Sequence, residues 1–148
     1  MATHVKGLPI FAIVGLALAM PAEAGEKVLT VVERATSDAV ADTGAAGDSP
    51  GDVLTFANEL FDASDANKIG SDNGYCIRTV VGVAWECVWT NSLDGGQISV
   101  EGSFLDAEDS VLAITGGTGG YKGASGEMLL HARDAKGSAY DFTFTISQ

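Results

Sequence analysis

The stretch "ITGGTGGYKGASGEMLL" at residues 114–130 decides the fold. Its glycines crowd around one lysine, which is the composition of a phosphate cradle. The order is wrong for one. A P-loop needs G-x-x-x-x-G-K-[ST], with the lysine directly after a glycine and a helix opening at once. Here Lys122 follows Tyr121 and precedes Gly123, and no window reads G-x-G-x-x-G. The continuation "EMLLHARD" reads as a strand, so no helix N-terminus is aimed at a phosphate. The glycines suit β structure instead. Gly116, Gly117, Gly119 and Gly120 allow tight bends between two strands, and Gly123 and Gly126 suit a strand that kinks at a barrel corner.

Outward from that corner the chain alternates with period two. In "AYDFTFTISQ" Tyr140, Phe142, Phe144 and Ile146 share one face, and Asp141, Thr143, Thr145 and Ser147 the other. "GGQISVEGSFL" sets Ile98, Val100, Gly102 and Phe104 against Ser99, Glu101 and Ser103, and "DVLTFANELFD" places Leu54, Phe56, Asn58 and Leu60 together. "KVLTVVER", "NGYCIRTV", "VAWECVWTN", "SVLAITG" and "EMLLHARD" complete a set of about eight strands, mostly separated by Gly, Asn, Asp or Pro. With almost no helical pattern, this predicts an all-β, eight-stranded antiparallel barrel, wide enough inside to pack with side chains or hold one small ligand.

A turn at Val81-Gly82 would set Cys76 directly opposite Cys87. Opposed Cβ atoms lie about 4.5–5.5 Å apart and a disulfide needs about 3.5–4.5 Å, so a cross-strand disulfide is feasible after a small adjustment. Trp85 and Trp89 share the strand face of Cys87 and read as core or interface mass. The segment at 35–51, "ATSDAVADTGAAGDSPG", is small, polar and without apolar period, which predicts a loop that is either disordered or a lid. Asp62, Asp65, Asn67 and Asp72 suggest calcium. An EF-hand frame from Asp65 would put Cys76 where a bidentate glutamate is required, so a solvated turn is the better reading. No metal site and no cofactor motif is expected.

Twenty acidic residues stand against 8 basic ones. Such a surface repels nucleic acid and anionic membranes, which excludes nucleic-acid partners and leaves neutral or cationic ones. Residues 1–24 read as a signal peptide: "MATHVK", the apolar "GLPIFAIVGLALAM", then Ala22-Glu23-Ala24. The apolar run is shorter than the roughly 20 residues of a membrane span. Cleavage after Ala24 predicts a secreted or periplasmic protein, with residues 25–148 as a single barrel domain that has no membrane contact in its mature form. An oxidising compartment agrees with a disulfide.

"AITGGTGGYKGASGEMLL" resembles the glycine-rich signature of the allene oxide cyclase barrel and the related dirigent proteins. "GDVLTFANELFD" (51–62) and "GGQISVEGSF" (95–104) match two further strands of that family in order and spacing. The resemblance covers roughly Gly51 to Ile146 and implies an eight-stranded barrel with an apolar cavity, often assembled as a trimer. It implies that in the plant cyclases this cavity folds an unstable fatty-acid epoxide into a cyclopentenone. A first-strand glutamate, and an asparagine two residues later, take part. Aligning "VLTVVERA" on Glu33-Arg34 puts Thr30 and Val32 at those positions, which argues against allene oxide cyclisation itself. The resemblance further matches Asn58 to a family asparagine, Cys76 to a cavity-lining cysteine and Phe104 to a tyrosine.

The cavity candidates are therefore Thr30, Val32, Phe56, Asn58, Phe104 and Tyr121, the last at one mouth of the barrel beside Lys122. Asn58, on an otherwise apolar face, is either a structural hydrogen bonder or a ligand-orienting group. Most of Glu33, Arg34, Glu86, Glu101, Glu127, His131 and Arg133 are expected to face solvent. His131 is the only histidine after residue 24, and it reads as a surface residue. No catalytic residue is assigned. The expected function is an exported barrel that binds an apolar small molecule, with cyclase- or isomerase-like steering of a reactive intermediate by confinement. The alternatives are a non-catalytic ligand-binding or structural protein, or a dirigent-like guide for radical coupling.

Overall fold

The computed structural model describes residues 25–148; the expected signal segment, 1–24, lies outside the described residues. Ten strands are present: β1 (Glu26–Arg34), β2 (Ala39–Ala41), β3 (Val53–Phe56), β4 (Glu59–Asp62), β5 (Lys68–Val80), β6 (Ala84–Leu93), β7 (Gly96–Leu105), β8 (Ser110–Gly119), β9 (Ser125–Ala132) and β10 (Ala139–Ser147). β3 and β4 are one strand interrupted at Ala57-Asn58, since both pair with β5. β1 and β2 pair with those same two halves. The result is a closed, eight-stranded antiparallel barrel in which β10 returns to β1. Closure removes the free edges that would otherwise template aggregation.

The alternation seen in the sequence is the alternation of the wall. Phe142, Phe144 and Ile146 of β10 point inward and are at most 1 % exposed. They join Val31, Leu60, Ile98, Val100, Leu112 and Met128 in one core cluster. A second buried pair, Val32 and Phe61, sits opposite one another on the outer face of β1 and β4. The Arg34 guanidinium lies 3.7 Å over the Phe61 ring and covers it.

Three local expectations need correction. The β5–β6 turn spans Val81, Gly82 and Val83 rather than two residues, and the extra residue is absorbed by a register shift between Arg78 and Val80. Cys76 still faces Cys87, and the two form a disulfide. The 35–51 segment is neither unstructured nor free. Val40 pairs with Leu54, the Asp52 carboxylate accepts from Thr43 N and Ser49 N at 3.0 and 2.8 Å, and Asp48 accepts from Arg78 Nε at 2.6 Å. Finally, Gly116, Gly117 and Gly119 belong to β8, paired with Ser99, Ile98 and Gly96. The bend itself comes later, at 120–124.

Within the glycine stretch Gly117 and Gly126 are two of the positions that need glycine. At Gly117 a Cβ would run into the Tyr121 backbone, so its absence makes room for the turn. Gly126 has φ 121° and lies between Ile114 and Ile146, where a Cβ would collide with the Thr145 carbonyl oxygen. Gly126→Ala should therefore destabilise by about 1–3 kcal/mol. Gly116 has no heavy atom within 4 Å of the place an added methyl would take, so Gly116→Ala should change stability by no more than about 0.5 kcal/mol. Urea unfolding of the two variants side by side checks this; equal losses would contradict it.

Candidate functional site

β1 pairs with β10 so that Glu33 faces Tyr140, Val31 faces Phe142 and Leu29 faces Phe144. Since Phe142 and Phe144 point inward, so does Glu33. It is 5 % exposed, an exception to the expectation that most of the charged strand residues face solvent. The same phase turns Thr30 and Val32 outward. Thr30 Oγ1 sits 3.3 Å from Thr143 Oγ1 on the outer wall, and Val32 is buried against Phe61 rather than in the interior. Neither lines the cavity. The first strand does contribute an interior carboxyl, two residues after Val31.

Around Glu33 the barrel assembles a polar cluster. Asn58, at the break between β3 and β4, exchanges backbone hydrogen bonds with Asp72 of β5 at 3.1 and 3.0 Å. Its side-chain Nδ2 donates to Glu33 Oε1 and to Asp38 Oδ1, both at 2.9 Å. Its Oδ1 accepts from Thr36 N, Ser37 N and Ser37 Oγ. The Asn58 amide is thus a structural hydrogen bonder that holds the lid segment over the acid. Asp72, 2 % exposed, stands behind Glu33, and the two carboxyls lie within hydrogen-bonding reach.

That neighbourhood changes their acidity. Burial, and then the charge of Asp72, push Glu33 up to about 9, against a weaker opposing effect of the Asn58 donor. Burial raises Asp72 to about 6, with the hydrogen bond to Glu33 acting the other way. Near neutral pH the pair therefore holds one proton and one negative charge. Burial followed by the charges of Glu33 and Asp38 lifts Tyr140 to about 12, so its hydroxyl stays protonated.

Glu33 and Asp38 form the acidic part of an otherwise apolar cavity of about 80 Å³. Its walls are Leu54, Phe56, the Cys76–Cys87 disulfide, Trp89, Phe104, Leu130, Tyr140 and Phe142. A single water needs about 10–15 Å³, so there is room for several waters or a compact ring. Trp89 packs edge-on against Phe56 at 5.9 Å, and its Nε1 has no partner among the described residues. Phe104 and Tyr140, in T-shaped contact at 5.9 Å, separate this space from an open vestibule lined by Asp106, Glu108, Asp109, His131, Asp134 and Lys136.

Of the sequence candidates, the structure brings Phe56 and Phe104 to this cavity, with Asn58 behind its acid. Tyr121 does not join them. It is a core residue at the opposite end, with the Lys27 ammonium 5.4 Å from its ring. Glu33, Asp38, Asp72, Trp89 and Tyr140 were not singled out as site residues. Finding Glu33 would have required the β1–β10 register, which joins the two ends of the described chain. The acids at 62–72 do not converge either: Asp65 pairs with Arg34 and Arg133, Asp62 accepts from Ser64, Ala66 and Asn67, and Asp72 is inside. Among the described residues no group of three acidic, histidine or cysteine side chains is arranged to hold a metal.

The chain belongs to the allene oxide cyclase family, whose model matches residues 27–135. A pyocyanin demethylase structure is similar at 28% identity, covering 78% of this chain and 98% of that one, with a TM-score of 0.68. A pterocarpan synthase dirigent protein matches at 16% identity over 87% of each chain, TM-score 0.67. An exo-specific intermolecular Diels-Alderase matches at 14% identity over 84% of this chain and 99% of its own, TM-score 0.68. The last two share the barrel alone.

Glu33 gives the site a pH signature. Its proton is held up to about 9 in the folded protein and lost near 4.5 in the unfolded chain. Between those values the folded state binds more protons, so stability falls as pH rises, by at most about 1.4 kcal/mol per pH unit for one proton. Asp72 adds to the fall between 3.8 and about 6. Glu33→Gln keeps an oxygen for Asn58 and removes the titration. Its urea midpoint should therefore decline less from pH 5 to 9, and at pH 8 should exceed that of the wild type. Parallel curves would mean that Glu33 ionises normally.

Proposed function

We propose that this protein binds an apolar small molecule in the barrel and steers a reactive intermediate of it through one cyclisation or isomerisation. The observation that carries this reading is the buried Glu33 carboxyl, backed by Asp72, placed at the wall of an otherwise apolar cavity. Such a wall stabilises positive charge that develops on a reacting ligand, and fixed groups at low local dielectric do so without reorganising. The tight apolar walls hold the ligand in few conformers and keep water out. Glu33 is the group in contact with the reacting centre; Asp72 and Asn58 are positioning residues.

Membership of the cyclase family supports a ring-forming or rearranging step, and the apolar walls support a ligand with little polar surface. The reading includes export with cleavage after Ala24, which the apolar segment before it and the disulfide support. The dirigent-like alternative differs in needing an external oxidant.

Native beside denaturing mass spectrometry of the mature protein tests this. The denaturing mass should correspond to a chain starting at Gly25 and lacking two hydrogens for the disulfide. The native mass should carry a ligand that leaves on denaturation. Leu54→Trp, which fills the half-buried wall of the cavity, should lose that ligand and stay folded. Glu33→Gln should retain it while conversion falls about 10²-fold or more. A ligand always recovered unchanged would make the protein a carrier, and a barrel that takes up nothing from lipid and polyketide panels would end the reading.

A further inference from the structure

We propose that the ligand of this cavity is an organic cation: a compact aromatic or alicyclic body carrying a fixed positive charge. This rests on the reading that the cavity binds a small molecule, and it names the class. The first argument is a missing counter-charge. Buried carboxylates in proteins are paired, because an unpaired buried ion is costly. Every element packed against Glu33 contributes an acid or a neutral group. The lid segment brings Asp38, β5 brings Asp72, β10 brings Tyr140, and the β3–β4 strand brings Asn58 and Leu60.

The basic side chains of the described residues lie outside the cavity. Arg34 is adjacent in sequence but outward, bonded to Asp65 at 2.9 Å. Arg78 is buried, yet it is held by Asp48 and Asp106 at 2.6 and 2.8 Å and lies on the Trp85 ring. Arg133 bonds Asp141 and Asp65. His131 and Lys136 lie in the vestibule, beyond the Phe104–Tyr140 pair. Among the described residues no lysine, arginine or histidine lines the cavity.

A second, independent observation points the same way. Five aromatic side chains, Phe56, Trp89, Phe104, Tyr140 and Phe142, meet the two acids Glu33 and Asp38 in the same small space. That is the company an organic cation takes, because aromatic faces attract ammonium-type cations. A hard metal ion fits less well. It wants six or more oxygens, whereas these walls are mainly carbon and disulfide sulfur, and Asn58 Oδ1 already accepts three donors. The route inward agrees, since Glu108, Asp109 and Asp134 outnumber Lys136 in the vestibule, with Asp106 paired to Arg78, and so attract cations toward it.

Proton release follows from the same geometry. A fixed cation beside Glu33 favours its carboxylate, so binding at neutral pH expels the shared proton. A neutral molecule of the same shape leaves it in place. No bond is made or broken in the ligand; the proton goes to buffer.

Phenyltrimethylammonium and its uncharged isostere tert-butylbenzene separate the possibilities. Isothermal titration at pH 7 in phosphate and in Tris reads both affinity and protons released, and Trp89 fluorescence reports occupancy. The cation should bind at least about tenfold more tightly than the isostere, and its apparent heat should differ between the buffers in the sense of proton release. Glu33→Gln should abolish the buffer dependence and narrow the preference. Leu54→Trp should abolish binding of both.

Equal or tighter binding of tert-butylbenzene, with no proton release, would overturn the cation and leave a neutral-ligand cavity standing. Cation binding that persists in Leu54→Trp and vanishes in high salt would be surface attraction, and would also overturn it. If neither probe binds, the cavity reading falls and the cation falls with it.

Discussion

The Asn58 carboxamide is the interaction on which the site depends. It sits where the second barrel strand breaks, and it reaches two other parts of the fold at once. One hydrogen goes to Glu33 on β1 and one to Asp38, while its oxygen gathers Thr36, Ser37 and the Ser37 hydroxyl from the lid segment. The break in pairing is what frees the side chain for this. Without it, Thr36 and Ser37 would lose their acceptor, and Glu33 would lose the donor that partly offsets its burial. The lid's start and the acid's position are one problem with one solution.

The cavity exists where the interior positions are small. At the glycine-turn end the barrel is filled by Ile98, Tyr121, Met128, Phe144 and Ile146. Toward the other end, β5 turns Gly74 and Cys76 inward, β6 Cys87 and β7 Gly102. A disulfide and two glycines occupy far less volume than the facing Phe and Ile side chains. Gly74 also lets Trp89 lie against β5, since a Cβ there would overlap Trp89 itself. The disulfide therefore has two consequences. It ties β5 to β6, and it presents two compact, unionisable sulfur atoms where a larger side chain would close the space.

Much of this was legible in the sequence, and the part that was not has a definite cause. Period-two alternation, together with the turn residues between the runs, revealed the wall strands, because a barrel with one filled side and one wet side imposes that pattern locally. The Cys76–Cys87 pairing followed from a short hairpin, and even a turn one residue longer did not disturb it, because a bulge absorbed the difference. β1 resisted the same treatment. "VLTVVER" is apolar on both faces, since Val32 is buried outside the barrel beneath Phe61 and Arg34 while Val31 is buried within it. Alternation then no longer says which face is inner. The rule that most charged strand residues face water does not single out Glu33 as the exception, and only its long-range pairing with Tyr140 does.

That failure marks where stability and function part company. An apolar residue at position 33 would continue the row of Val31 and Leu29 and relieve the repulsion with Asp72. Such a barrel would be the more stable near neutral pH, because it would not have to hold a buried charge without a counter-ion. The fold tolerates the acid because closure, the disulfide and the Asn58 network fix its surroundings and do not depend on its ionisation. It is also held where it does most, at the end of β1 nearest the vestibule rather than deep in the packed half. A carboxyl on a rigid strand, with its proton shared and its apolar front open to the cavity, is already arranged to answer positive charge. The residue that breaks the strand's pattern is the one the rest of the site is built around.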